Sequence, residues 1–97
     1  MKKHKIIYLD SAFFDLAEIR TYLDEYSLTA WSKLIDKLEK QTKGLEDFPF
    51  SGVKYRTYRR LVCDDYLVFY KVNEDSRTVE IHRILHGSRD IARHLTE

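Results

Sequence analysis

The side chains best suited to chemistry are cations and imidazoles in the second half of the sequence. Residues 53–97 carry nine Lys or Arg and three of the four histidines, and seven of those nine cations are arginines. The planar arginine fork recognises phosphate and carboxylate groups, so the pattern predicts contact with phosphates or with an acidic protein surface. Packing of arginine stems along apolar surface explains the same pattern equally well. The candidates are Arg56, Arg59, Arg60, Lys71, His82, Arg83, His86 and Arg89.

Other kinds of site lack the residues that they need. His82 and His86 are the only closely spaced pair of histidines, but four residues of a predicted strand separate them by ~13 Å, too far for one zinc ion. Cys63 is the only cysteine, and its place in a strand pattern is typical of a small buried hydrophobe. The three glycines form no phosphate-binding loop. The sequence therefore predicts no metal site and no cofactor.

Hydrophobic periodicity predicts the elements that position these side chains. A helical period in the first half predicts two amphipathic helices that form an antiparallel hairpin, and a period of two follows from Tyr55. The predicted fold is α+β, with the hairpin packed on one face of a mostly antiparallel four-stranded sheet in a single domain, residues 1–97. The predicted elements are a strand (5–9), a helix (about 11–26), a helix ending near 47, three strands (57–63, 66–72 and about 78–85) and a short helix capped by Ser88.

Strand alternation predicts which candidates face the same way. Arg59 and Arg60 fall on opposite sides of their strand, so the two cannot both face one ligand. Each side of the last strand carries both apolar and basic or imidazole side chains, so the pattern alone does not define which side is buried. Those sides are His82, Ile84 and His86 against Ile81, Arg83 and Leu85.

Composition narrows the function classes further. The chain has 97 residues and a formal net charge of +1, which excludes a strongly basic nucleic-acid-binding tail. No apolar run approaches the ~20 residues that span a bilayer, and the apolar residues 6–9 are too few for a signal peptide. We therefore expect a cytoplasmic protein with no membrane partner.

Three segments of the sequence resemble the RelE/ParE superfamily, the toxins of bacterial type II toxin–antitoxin modules. The resemblance covers essentially the whole chain, and it implies a β-α-α-β-β-β-α order and a cognate antitoxin as partner. The segments are 58–62 (Tyr-Arg-Arg-Leu-Val), 66–72 (Tyr-Leu-Val-Phe-Tyr-Lys-Val) and 80–91 (Glu-Ile-His-Arg-Ile-Leu-His-Gly-Ser-Arg-Asp-Ile).

Within that superfamily the resemblance favours the ParE branch. It implies a plasmid-stabilisation toxin that poisons DNA gyrase and is not itself an enzyme. The RelE pattern has an arginine where this chain has Leu67 and a catalytic tyrosine near its C-terminus, whereas no tyrosine follows Tyr70 here. In the ParE case the expected target-binding residues are Arg56, Arg59, Arg60 and Arg89.

The alternative is a RelE-like, ribosome-dependent endonuclease that cuts mRNA. Cleavage by a ribose 2′-hydroxyl needs groups that move its proton and stabilise charge on the phosphorus, and His86, Arg89 and Arg83 would supply them. A third possibility is an inactive toxin fold that binds only its antitoxin. The last is an unrelated α+β binding module.

Overall fold

The computed structural model describes residues 3–95, which form one five-stranded sheet and three helices. The sheet has the strand order β1-β5-β4-β3-β2, with β1 parallel to β5 and every other pair antiparallel. Within residues 3–95, no helix is both long and apolar enough to cross a membrane. The elements are β1 (Lys5–Tyr8), α1 (Asp10–Asp24), α2 (Ala30–Gly44), β2 (Val53–Tyr55), β3 (Tyr58–Cys63), β4 (Tyr66–Asn73), β5 (Thr78–His86) and α3 (Ile91–His94).

The predicted α+β class and hairpin-on-sheet arrangement are confirmed, with differences at element ends. The sheet has five strands instead of four, because Val53–Tyr55 folds back on β3 through a tight turn. Three residues are too few for period-two alternation to reveal them. The C-terminal helix begins at Ile91 with Asp90 at its N-cap. Ser88 does not cap it, because the Ser88 hydroxyl is hydrogen bonded to the His86 ring at 2.7 Å.

The central strand β4 divides the interior into two apolar clusters. Tyr66, Val68 and Tyr70 face the helical hairpin and pack in its core, whereas Phe69 packs on the opposite side. Each fully buried side chain of this size stabilises the fold by ~1.5–3 kcal/mol, which explains why β4 is apolar on both faces. The smaller cluster consists of Tyr58, Phe69, Leu85 and Leu95, with Tyr55, Leu67 and Ile91 at its border.

A β-bulge at His82 changes the side-chain alternation of β5. Phe69 pairs with Arg83 and Tyr70 pairs with Ile81, so His82 has no partner of its own on β4. The extra residue resets the alternation, and Ile81 therefore shares the hairpin-side core with Ile84. The predicted sides of the last strand are thus wrong. The ring of His82 packs edge-on against Tyr58 on the face opposite Ile84.

The beginning of α1 completes the edge of β5. The parallel strand β1 pairs only as far as Ile81, and the rest of β5 would present unpaired backbone groups. Backbone and side-chain atoms around the first turns of α1 bond to these groups instead. The contacts are Leu9 N–H to Ile81 O at 3.0 Å, Ser11 Oγ to His82 O at 2.6 Å and Ile84 N–H to Asp15 Oδ2 at 2.9 Å.

Candidate functional site

The structure separates the predicted site residues into different regions. His86 and Arg89 line one cleft beside the end of β5. Arg56 and Arg59 line a smaller pocket at the opposite end of β4. Arg60 lies on the sheet face away from the hairpin, as alternation predicts, and its buried Nε has no hydrogen-bond partner among residues 3–95. The candidates therefore do not form a single site.

The first region, which we call the β5-end cleft, has a volume of about 450 Å³. Its histidine is held in one orientation, because His86 Nδ1 bonds to the Ser88 hydroxyl at 2.7 Å and to the Ser88 backbone N–H at 3.1 Å. A backbone N–H can only donate, so the neutral ring carries its proton on Nε2. The cleft is lined by Asp15, Glu18, Ile19, Tyr22, Tyr66, Ile84, Leu85, His86, Ser88 and Arg89.

Arg89 is available to a ligand at this cleft. Its nearest carboxylate belongs to Glu18, 3.6 Å away, and both side chains are well exposed. Exposed pairs of this kind contribute ~0–1 kcal/mol, so an incoming anion can replace Glu18 at little cost. A phosphate or a carboxylate from a binding partner would suit the guanidinium.

Two tyrosines at the cleft were not among the candidate site residues predicted from the sequence. Tyr66 is buried, its ring meets the His86 ring edge-on at 5.4 Å, and burial raises the pKa of its hydroxyl. Tyr22 lies one turn after Glu18 on α1 and is exposed. The spacing of Glu18 and Tyr22 on one helical face was the available signal, but it carries no information about the strand that this face meets.

Arg83 is held by structural contacts. Its Nε and Nη2 donate to the two Asp15 carboxylate oxygens at 2.8 and 2.9 Å, and its Nη1 donates to His94 O at 2.7 Å. The bond to Asp15 raises the pKa of the guanidinium. Arg83 is not among the residues that line the β5-end cleft. A catalytic role for it would require these bonds to break.

The second region is a basic pocket of about 220 Å³. Among its cations, Arg59 donates from Nη1 to Phe50 O at 3.1 Å and to Gly52 O at 2.9 Å. The guanidinium also lies over the Phe50 ring, 5.1 Å from the ring centre. The pocket is lined by Phe50, Lys54, Arg56, Thr57, Tyr58, Arg59, Tyr70, Lys71 and Val72.

A third concavity, the hairpin groove, runs between α1 and α2 and has a volume of about 480 Å³. Most of its lining is apolar, and Phe13 beside it is 57% exposed. Arg20 lies over the Trp31 ring at 5.6 Å. The lining residues are Tyr8, Phe13, Leu16, Ala17, Arg20, Trp31, Ile35, Leu38 and Glu39.

His82 and Cys63 lie outside these concavities. His82 Nε2 is 3.5 Å from Glu80, and burial lowers the pKa of the imidazole. Cys63 is 2% exposed in the hairpin-side core, and burial raises the pKa of its thiol. In the part of the chain that the structure describes, no group of three or more His, Cys, Asp or Glu side chains is placed to hold a metal ion.

Comparison with known proteins assigns this fold to a class of toxins. The helical hairpin on a five-stranded sheet is the arrangement of the RelE/ParE superfamily, which confirms the resemblance seen in the sequence. The family described as "ParE toxin of type II toxin-antitoxin system, parDE" matches residues 6–91. The chain therefore belongs to the ParE toxin family and is a type II toxin–antitoxin toxin. No curated protein matches it.

Two solved structures show the same fold at low sequence identity. A chain of the chromosomal ParDE toxin–antitoxin system of P. aeruginosa superposes with a TM-score of 0.69 at 18% identity, covering 87% of this chain and 96% of that chain. A chain of the toxin–antitoxin complex RelBE2 of Mycobacterium tuberculosis gives a TM-score of 0.60 at 15% identity, covering 87% and 98%. At these identities the likeness extends to the fold alone.

Proposed function

We propose that this toxin arrests growth by poisoning DNA gyrase through protein contacts, without catalysing a reaction. The observation that carries the proposal is the family match over residues 6–91. The apolar character of Leu67 supports it, because this side chain borders the Phe69 cluster where the RelE pattern has an arginine. A leucine there can neither hold a phosphate nor stabilise charge during RNA cleavage.

The target surface that we propose is spread over the molecule. Arg89 at the β5-end cleft and the pair Arg56 and Arg59 at the basic pocket lie near opposite ends of β4, and Arg60 lies on the sheet face away from the hairpin. One small ligand cannot reach all four side chains. A large partner such as gyrase can, and arginine is enriched among the residues that dominate protein interfaces.

We further propose that a cognate antitoxin neutralises the toxin by laying an amphipathic helix in the hairpin groove. Residues of both helices line the groove, most of its lining is apolar, and the exposed ring of Phe13 borders it. Such grooves bind the apolar face of a helix, and binding stabilises the folded chain by mass action. Co-expression with the protein encoded next to this gene should give a stable complex that melts well above the free toxin. Identical melting with and without that protein contradicts the proposal.

A second candidate function, cleavage of mRNA on the ribosome, is favoured by the β5-end cleft. His86 and Arg89 line the same cleft, and Glu18, Tyr22 and Tyr66 also belong to its lining. An imidazole can move the proton of a 2′-hydroxyl, and a guanidinium can stabilise a charged phosphorane. The cleft thus holds an acid–base group and a cation although the RelE-type arginine and tyrosine are replaced.

Inducible expression with two readouts separates the candidates. Gyrase poisoning leaves cleaved DNA, so a DNA-damage reporter should be induced while primer extension on a highly translated message shows no new stops. Ribosome-dependent stops with a silent reporter would overturn the gyrase proposal. Growth that is unaffected would indicate an inactive antitoxin binder.

Two variants sharpen the same experiment. Arg89→Ala should weaken growth arrest, whereas Arg93→Ala, an exposed arginine on α3, should leave it unchanged. His86→Ala distinguishes the mechanisms, because loss of an acid–base group reduces cleavage by ~10²-fold or more, whereas one rim side chain changes a protein interface little. A large loss of DNA damage with His86→Ala would contradict the purely protein-binding mechanism.

A further inference from the structure

Strand β2 forms an open edge of the sheet. It pairs with β3 on one side, and within residues 3–95 no strand lies on its other side. The turn between them has two residues, so the flanking pair of Tyr55 and Tyr58 is hydrogen bonded, and such pairs alternate with pairs whose backbone groups point outward. The N–H and C=O of Lys54 therefore point away from β3. Outward backbone groups of this kind are a template for another strand.

The two faces of this edge differ in chemistry. Lys54 pairs with Arg59 and Arg59 with Tyr70, so both cations lie on the face that carries the helical hairpin. Val53 and Tyr55 lie on the opposite face, where Val53 is 62% exposed and Tyr55 borders the smaller apolar cluster. An added strand alternates its side chains between the two faces. It would therefore fit best with acidic side chains on one face and apolar side chains on the other.

The cations around β2 are not neutralised within the chain. Within residues 3–95, no carboxylate oxygen comes within 4.0 Å of the side-chain nitrogens of Lys54, Arg56, Arg59 or Arg60. Lys54 and Arg56 are also well exposed. Opposite charges on directly facing residues stabilise a strand pair. The charge at this edge is thus complementary to carboxylates on an incoming strand.

The same charge disfavours a second copy of this chain as the added strand. Because β2 has only three residues, two copies paired edge to edge would bring their Lys54 side chains close together. Like charges that face each other across strands are destabilising. Short edge strands with basic side chains are a common protection against self-association. The edge therefore selects against a copy of itself and for an acidic segment.

We infer that β2 binds an extended segment of gyrase as a sixth strand, with acidic side chains beside Lys54 and apolar side chains beside Val53. The inference rests on the proposed function, because three of the four arginines expected to bind the target flank this strand. They are Arg56 in the turn after β2, and Arg59 and Arg60 on β3. In this mode of recognition main-chain hydrogen bonds supply affinity, and alternate side chains supply specificity.

The proposed antitoxin helix would leave this edge free. The hairpin groove is lined by residues of α1 and α2 and by Tyr8 of β1, and no residue of β2 belongs to its lining. Strand β1 lies at the opposite edge of the sheet from β2. The groove and the β2 edge are therefore separate surfaces that can be tested separately.

Hydrogen–deuterium exchange of the full chain, alone and bound to purified gyrase, tests the added strand directly. The Lys54 amide should exchange about tenfold more slowly or less in the complex, because a new strand bonds its outward N–H. The Tyr55 amide is an internal control, since it already bonds to β3 and should change less. Fragmentation mass spectrometry resolves the two amides.

Two substitutions at Lys54 separate the backbone contact from the charge. Lys54→Pro removes the outward N–H without removing a bond to β3, because proline is tolerated on edge strands, and it should weaken gyrase binding about tenfold or more. Lys54→Glu keeps the backbone and places like charges together, so it should weaken binding to a similar extent even if the proline variant is unstable. The matched control is Lys33→Glu, an exposed position on α2, which should bind gyrase like the native chain.

Two results would overturn the inference and leave the gyrase proposal intact. The native chain would bind and poison gyrase with no protection of the Lys54 amide, or both Lys54 variants would bind gyrase as tightly as Lys33→Glu. Protection by the neighbouring gene's product but not by gyrase would overturn it and assign the edge to the antitoxin. Protection that grows with the concentration of the chain alone would assign it to a second copy. A native chain that neither binds nor poisons gyrase refutes the proposed function, and this inference with it.

Discussion

Replacing Asp15 with alanine tests the contact that attaches α1 to β5. Asp15 is 7% exposed, and its carboxylate accepts three hydrogen bonds, two from the Arg83 guanidinium and one from the Ile84 backbone N–H. The substitution leaves a charged guanidinium and a backbone N–H without their partner. Both groups belong to the stretch of β5 that has no neighbouring strand on that side.

The expected loss of stability follows from these contacts. Removing one partner of a buried ion pair costs ~3–5 kcal/mol, and an unpaired buried N–H costs ~1–3 kcal/mol. Arg83 is 25% exposed and keeps its bond to His94 O, so hydration of the guanidinium offsets part of the cost of the broken ion pair. We expect a total of about 3–4 kcal/mol, and a domain of this size then melts ~15 °C lower or more. Asp15→Asn keeps an acceptor for Ile84 and should cost only ~1–2 kcal/mol.

Urea unfolding followed by Trp31 fluorescence and by circular dichroism measures the difference. The matched control is Asp24→Ala, which removes an exposed carboxylate 3.5 Å from Arg20 on the same helix and should cost ~0–0.5 kcal/mol. Asp15→Ala with Arg83→Met should recover part of the loss, because no charge is then left unpaired. A cost of Asp15→Ala no larger than that of the control would refute the assigned role of the pair.

Further predictions concern buried groups elsewhere. Tyr70→Phe removes a hydroxyl that accepts from Gly52 N–H at 2.9 Å and donates to a carbonyl at 2.8 Å, so the free energy of unfolding should fall by ~1–3 kcal/mol in urea titration. Gly52→Ala should destabilise by at least ~1–3 kcal/mol, because its Cβ would lie 2.5 Å from the Tyr70 hydroxyl. Burial lowers the pKa of His82 in the folded chain. As the pH drops below ~6.5, the unfolded chain therefore binds a proton before the folded chain does, and the free energy of unfolding should fall by at most ~1.4 kcal/mol per pH unit. His82→Asn should flatten this dependence. Cys63→Ser places a hydroxyl in the core and should lower the melting temperature while growth arrest persists.

Much of the fold could be predicted because its elements carry continuous periodic patterns. The hairpin helices repeat apolar residues at helical spacing, and β4 is apolar on both faces because it lies in the middle of the sheet. The bulge at His82 could not be predicted, because it results from the register between β5 and β4 and leaves no local mark. The short strand β2 likewise depends on pairing with β3, which local sequence does not encode.

The candidate site could be predicted only where its parts are close in the sequence. His86 and Arg89 line one cleft because a strand end and the following turn separate them by three residues. The partner of Arg83 lies 68 residues away on α1, so its structural role became visible only in the fold. The basic pocket is similar, since Lys71 on β4 and Arg56 in the β2–β3 turn line it together although they lie in different elements.

The position of α1 connects the two surfaces on which the proposed function depends. Phe13, Leu16 and Arg20 line the hairpin groove, whereas Glu18 and Tyr22 on the same helix line the β5-end cleft. A partner in the groove can therefore affect the cleft by shifting α1 or by extending over the cleft itself. A shift of α1 would break the two hydrogen bonds between Arg83 and Asp15. The binding free energy of the partner would then have to offset the cost of breaking a buried ion pair. We therefore expect the proposed antitoxin to act by covering the target surface, with α1 held in place on β5.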